Sequence, residues 1–455
     1  MCEKLAATCR NEPAANKRWE VTAVHSRRVV LPDGERPATV RMEGGRIMEV
    51  GEGPADLDFG DLVVLPGLVD SHVHVNEPGR TSWEGFASAT AAAVAGGTTT
   101  VVDMPLNSIP PTVDVDGLAR KREAAVSSGL RADVGFWGGI VPGSASSVPP
   151  LGAEGVCGFK VFMVDSGVKE FPPLDPDALA EVAPGLARLG LPLLVHAEEP
   201  SLLREPDGDP RLYRTYLDTR PAQAESSAID RIADLCRREA VDAHVLHVAS
   251  GEATDALRRA SGLLTAETCP HYLTFEAGAI PEGATSFKCA PPIRDREDRE
   301  ALWEALASGL VTMVVSDHSP APPDVKALDS GDFLAAWGGI ASVELRLVAT
   351  WDGARRRGFG PTDLARWLSS APAARAGLGA SKGSIAPGMD ADLVVFDPDG
   401  ATDVDAGRLL QRHPVTPYHG MRLAGRVVAT YLRGEPVYGE GAVAGRQGRL
   451  LRRGE

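Results

Sequence analysis

The alternation of apolar and polar positions divides the chain into a β-rich beginning, a long strand–helix middle and a β-rich end. From about Trp19 to Val64, short runs at Val21–Val24, Arg28–Leu31, Thr39–Met42 and Ile47–Val50 are separated by Pro32-Asp33-Gly34 and Gly44-Gly45. Apolar alternation punctuated by turn formers predicts hairpins. The texture returns at Ala391–Phe396, Arg422–Val428 and Ala429–Leu432, with Gly388, Gly400 and Gly434 between and around them. Because domain termini often lie close together, the two pieces are expected to pair into one small β-sandwich, drawn from residues 19–65 and 376–440.

The middle reads strand, helix, strand, helix. Strand-like cores fall at Val69–Val75, Thr98–Met104, Ala132–Ile140, Gly158–Met163, Pro192–Ala197, Ala243–Ala249, Leu263–Thr268 and Val311–Ser316. Helical patterns lie between several of them, at Ser82–Ala95, Pro176–Leu189, Ala224–Arg238 and Arg296–Ala307. The first carries a capping-box signature, Thr81-x-x-Glu84. Eight such units over roughly three hundred residues fit a (β/α)8 TIM-like barrel over 66–375, with a doubly wound open sheet as the competing architecture. Residues 1–18 read as a flexible extension and 441–455 as a flexible basic tail.

Chemistry in such a barrel collects at the C-terminal ends of the strands. The first strand ends in His72-Val73-His74, and side chains two apart on a strand share a face, so both imidazoles aim at one spot. Two neutral imidazoles converging there suit a divalent metal. The fourth strand carries Lys160 between Phe159 and Val161, the fifth ends at His196, the sixth holds His244 and His247, and the eighth ends at Asp317-His318. Spacing three puts His244 and His247 on opposite faces. His247, nearer the strand end, is the expected inward residue, and His244 is expected to be structural. A buried ammonium among apolar neighbours is costly without a partner. A lysine N-carboxylated by carbon dioxide would instead offer a carboxylate able to bridge two cations.

Composition narrows the partners. Across 455 residues the formal net charge is −15, and the pI is near 5.2. This acidity argues against a nucleic-acid or anionic-membrane surface, and no apolar stretch reaches the length of a membrane span. The six cysteines are scattered, with no CxxC pair. They read as reduced thiols of a cytoplasmic protein.

The motifs DSHVHVNEPGR, WEGF, VVDMPLNSIPPT, GFKVFM with SGVKEFP, LLVHAEE, HVLHVASGEA, ETCPHYL, KCAPPIRDREDREALW, SDHSPAP and PGMDADLVVFD together resemble the cyclic amidohydrolases of the amidohydrolase superfamily, over about Trp19 to Val437. The resemblance implies two divalent metal ions, usually Zn2+. His72, His74 and Asp317 would hold the more buried ion, and His196 and His247 the other. Carboxylated Lys160 and a water would bridge them, with Asp317 also moving the proton. All six positions are intact, which argues against a non-catalytic scaffold. His271 and His318 have no ligand role in that pattern and are expected to hydrogen-bond near the site. Homotetramers or dimers are implied.

Substrate choice turns on departures from the pattern. Dihydroorotases carry arginine two positions after the second histidine, where it can grip a carboxylate. Here that position is Asn76. Hydantoinases and dihydropyrimidinases usually carry a tyrosine shortly after the lysine, and five residues on this chain has Asp165. The first departure points to a substrate without a carboxylate and the second away from the hydantoinases, with Asn76 and Asn107 as candidate contacts to a small cyclic ureide. The proline-rich loop 319–337 is a candidate cover for the site.

Overall fold

A computed structural model describes residues 22–439, 441–445 and 448–455, so the expected N-terminal extension over 1–18 lies outside the described residues. All eight strands of the middle region are present, at Leu68–Val73, Thr98–Asp103, Asp133–Phe136, Phe159–Phe162, Leu193–His196, Ala243–Val245, Leu264–Thr268 and Met313–Val314. Consecutive strands pair in parallel from the first to the third and from the fourth to the eighth. A short segment, Gly138–Gly139, carries the ladder from the third to the fourth. The circle closes where the His74 N–H donates to the His318 carbonyl at 2.8 Å and Val73 bridges His318 in parallel. The sheet is therefore a closed barrel, and the open doubly wound alternative is excluded. The first and second strands are buried along their whole length, as parallel strands covered on both faces must be.

Helices Pro176–Leu189, Ala222–Glu239 and Arg296–Ser308 match the periodic segments to within two residues. The first of these has proline in its first turn, Asp175 accepting from the Ala178 N–H, and Gly190 closing it at φ 64°, a full set of start and stop signals. The helix after the first strand differs from expectation. It runs Phe86–Ala95 without a side-chain cap at Gly85, and Thr81-x-x-Glu84 forms no capping box. Glu77 instead accepts the Phe86 N–H at 2.8 Å, while Glu84 is drawn inward toward His318 and Arg412.

The two ends of the chain hydrogen-bond into one nine-stranded sheet. Its seam is the antiparallel pairing of Val63–Pro66 with Leu393–Phe396. Val24, Val40, Ile47, Val64, Leu393, Val395 and Tyr431 share one apolar cluster, so strands from both termini curl round a common core separate from that of the barrel. Gly67 marks the passage from sheet to barrel. A Cβ there would lie 2.4 Å from Thr99 Oγ1 and 2.6 Å from Asp392 Cβ, and only glycine fits so close an approach.

The PGMDADLVVFD motif has its explanation at this junction. Lys382 Nζ is buried and donates to Asp133 at 2.6 Å and Asp392 at 2.7 Å, with Asp390 at 2.9 Å. Arg433 reaches Asp133 and Arg449 reaches Asp390. Three carboxylates thus meet three cations. Burial opposes the ammonium, yet Asp392, Asp133 and Asp390 outweigh it and raise the lysine pKa above its ordinary value. Residues 448–455, expected as the end of a flexible tail, are packed onto the barrel. Leu450 bridges Val134, Leu451 is buried, and Arg453 donates to the Cys157 carbonyl. Among the described residues no helix is long and apolar enough to cross a membrane, and the described cysteines are free and buried.

Lys382→Met is expected to lower unfolding free energy by roughly 3–5 kcal/mol, because it leaves buried carboxylates uncompensated. Urea unfolding at neutral pH checks this. The raised pKa gives the sign with pH: the wild-type contribution is complete below the ordinary lysine pKa and is lost as pH climbs through the folded value.

Candidate active site

The C-terminal strand ends bring five of the six candidate metal ligands into direct succession. His72 Nε2 lies 3.1 Å from Asp317 Oδ1 and 3.3 Å from Lys160 Nζ. His74 Nε2 lies 3.4 Å from the same Asp317 oxygen. The His247 ring is 5.4 Å from that of His72 and 4.6 Å from that of His196. His196 Nδ1 and His247 Nε2 are 3.0 Å apart. His196 joins the succession through His247. All six residues are buried. Nitrogen and oxygen atoms of His72, His247 and Asp317 fall within 4.8 Å of one another.

Two buried carboxylates set which nitrogen of His72 and of His196 faces the site. Glu267, on the seventh strand, takes one oxygen to His72 Nδ1 at 2.5 Å and the other to His244 Nε2 at 3.1 Å. Its burial would raise its pKa, but His72 and His244 hold it down at about 2. Being ionised it can only accept, so His72 donates from Nδ1, and Nε2 is the nitrogen that faces Asp317 and Lys160; burial opposes a charge on the ring, but Asp317 and Glu267 outweigh it and raise its pKa. Glu198 does the same for His196, accepting from Nε2 at 2.7 Å and leaving the Nδ1 lone pair inward. Arg220 grips Glu198 at 3.0 and 2.5 Å. Burial and the opposing Lys160 charge hold His74 neutral, at a pKa of about 3. His244, with both nitrogens engaged by Thr265 and Glu267, is structural as expected.

Lys160 is the misfit in this setting. It is 1 % exposed, and its ammonium lies over the Phe162 ring at 4.9 Å. Burial pulls its pKa down to about 8, against the raising influence of Asp317 and Glu267. Phe162 in turn stacks on His196 at 4.5 Å, so the fourth strand supplies both the amine and the apolar wall beside it.

Backbone strain gathers here. Eight described non-glycine residues have positive φ, and four are candidate site residues: Asn76 (66°), Asn107 (69°), His247 (39°) and Asp317 (46°). Such conformations cost about 1–3 kcal/mol each and persist where surrounding structure fixes them. Asn76 is buried, with its amide nitrogen 3.3 Å from the Pro320 carbonyl and its oxygen unpaired. Asn107 lies 3.4 Å from His74 Nδ1. Asp165, at the position where related enzymes carry tyrosine, is exposed and accepts from the Gly167 N–H.

The rim is tied across four loops. Arg80 donates to the Asn107 carbonyl at 2.9 Å, pairs with Glu170 at 3.2 Å and lies over Trp83, which meets Trp337 edge-on. Within the loop 319–337, buried Lys326 donates to the carbonyls of Lys288, Trp337 and Gly339 at 3.2, 2.9 and 2.8 Å. That segment is pinned from inside.

Sequence reasoning missed Glu198, Glu267 and Arg220. Signals existed for the first two. Glu198 is a charge two residues beyond His196, just past the end of the strand, and Glu267 is a charge inside a buried strand, costly unless partnered. Arg220 carried no comparable signal.

The amidohydrolase family model matches residues 63–437, and the chain belongs to that family. Among curated proteins it is 47 % identical to the allantoinase of Streptomyces avermitilis, covering 94 % of this chain and 98 % of that one. It is 43 % identical to the allantoinase of Arabidopsis thaliana, covering 92 % and 88 %, and to that of Saccharomyces cerevisiae, covering 92 % and 95 %. Among solved structures it resembles an L-hydantoinase (dihydropyrimidinase) from Arthrobacter aurescens, with TM-score 0.87, 27 % identity and coverage of 94 % and 99 %. It also resembles a dihydropyrimidinase from Brevibacillus agri, with TM-score 0.85, 26 % identity and coverage of 95 % and 98 %.

Glu198→Gln weakens the hold on the His196 tautomer and is expected to lower divalent-metal affinity by roughly 10–100-fold. Metal retention during dialysis against a graded chelator series measures it. Retention equal to wild type would remove Glu198 from this role.

Proposed function

We propose that the chain is an allantoinase, hydrolysing the cyclic amide of (S)-allantoin to allantoate in purine breakdown. The observation that carries this reading is the pairing of a complete donor set with a buried neutral amide, Asn76, where a carboxylate-binding enzyme needs a cation. The relatives named above support it over nearly the whole chain.

The residues present fit two divalent ions: His72 Nε2 and His74 Nε2 converge on one oxygen of the ionised Asp317, and His196 Nδ1 and His247 Nε2 lie 3.0 Å apart beside the His72 ring. His72, His74 and Asp317 would hold one, His196 and His247 the second, and carboxylated Lys160 would bridge them; Zn2+ suits this mixed nitrogen and oxygen set. When bound, such ions supply Lewis acidity at the ring carbonyl and lower the pKa of water. The low pKa of Lys160 gives it an uncharged fraction near neutrality, the form that combines with carbon dioxide. Asp317, held ionised mainly by His72 against the cost of burial, accepts the proton of the attacking water and returns it to the departing ring nitrogen. Phe162 and the buried strand ends keep bulk solvent away from that transfer.

A hydantoinase or dihydropyrimidinase is the second reading, favoured by the structural neighbours; dihydroorotase is the third. The exposed Asp165 weighs against the second and Asn76 against the third. A cytoplasmic homotetramer completes the proposal, with a dimer as the alternative that light scattering distinguishes.

Parallel assays on allantoin, dihydroorotate and dihydrouracil are expected to show allantoin cleaved fastest; preference for either of the others contradicts the assignment. Lys160→Ala is expected to abolish activity and to lower metal content from about two ions per chain. Full activity in that variant removes the carbamate from the account.

A further inference from the structure

His271 is a buried group that the proposed chemistry does not use. It follows the seventh strand on the short helix Pro270–Thr274 and is 0 % exposed. Neither ring nitrogen has a hydrogen-bond partner, and among the buried described histidines His271 alone lacks both. An atom of this ring lies within 4.8 Å of an Asp317 oxygen and of Cys269 Sγ. Tyr272 packs edge-on against the ring, its centroid 4.3 Å away, and its own hydroxyl donates to the Pro291 carbonyl at 2.7 Å.

A structural histidine in this chain looks different. His244, equally buried, has both nitrogens engaged, by Thr265 and Glu267. An unpartnered buried polar group costs stability, so a residue tolerated in that condition beside a reacting carboxylate is one whose partner arrives with the ligand. A third metal site does not fit, because Asp317 is already engaged by the nearer His72 and His74 at 3.1 and 3.4 Å. An imidazole protonated on one nitrogen has one donor and one acceptor. A cyclic ureide presents alternating N–H and carbonyl groups, the complement of such a ring.

We propose that His271 is a substrate-positioning residue, hydrogen-bonding the cyclic ureide beside Asp317 and so setting the scissile amide next to the group that moves its proton. The proposal rests on the cyclic-amide reading above, not on the choice of allantoin within it.

The test compares wild type with His271→Leu and His271→Asn on whichever of allantoin, dihydroorotate and dihydrouracil the wild type cleaves fastest. A wrong substrate assignment therefore shows in that ranking and leaves the His271 comparison intact. Leucine removes both unpartnered nitrogens at similar volume. It is expected to keep the wild-type melting temperature and metal content while kcat/KM falls by roughly 10–100-fold. Asparagine keeps a donor and an acceptor and is expected to recover part of the loss. Wild-type kcat/KM in His271→Leu overturns the proposal. Loss of metal from either variant also overturns it, in favour of a ligand-holding role. A lowered melting temperature in both variants, with kcat/KM per folded metal-loaded molecule unchanged, overturns it in favour of a structural role.

Discussion

The carboxylate of Glu267 is the constraint on which the site depends. Buried inside the seventh strand, it is ionised only because His72 and His244 both donate to it. In return it fixes the His72 ring by its Nδ1 and aims Nε2 at Asp317 and Lys160. Glu198, braced by Arg220, repeats the device for His196. An imidazole free to exchange its proton between nitrogens would present a donor to a cation half the time. These two carboxylates remove that freedom for His72 and His196, and hold Nε2 of the one and Nδ1 of the other toward the site.

The barrel divides its labour between its two ends. The C-terminal ends hold strained backbone at Asn76, Asn107, His247 and Asp317 and an ammonium with no carboxylate within bonding distance among the described residues, arrangements that cost stability. Stability is gathered at the other end and in the wall. Lys382 gathers Asp133, Asp390 and Asp392 where barrel, sheet and C-terminal residues meet. Arg346, fully buried, donates to the carbonyls of Val69 and Val314, stitching the first strand to the eighth beside the point where the circle closes. A barrel clamped in this way can tolerate a mouth built for chemistry.

Much of this was legible in the sequence, for physical reasons. Buried parallel strands read as short apolar runs, and a polar residue inside one stands out; that is how Lys160, His196, His247 and Asp317 were found. The His72–His74 pair followed from the two-residue period alone. What stayed hidden was partnership over long separations. Glu267 meets His72 across 195 residues and Arg346 meets Val69 across 277, and no local pattern encodes either. Local rules also failed where tertiary demand was stronger. Glu84 matched a capping box, but burial beside His318 claimed its carboxylate. The basic C-terminal residues looked solvent-bound, yet Asp133 and Asp390 gave Arg449 buried acceptors.

The central claim is that Lys160 is carboxylated to join two ions held by directed histidines. Carbon-13 NMR of the metal-stripped protein, reconstituted with zinc in the presence of ¹³C-bicarbonate, tests it most directly. The account predicts a carbamate resonance that appears as activity returns and is absent from Lys160→Ala treated in the same way. Recovery of full activity with no carbamate signal would contradict it.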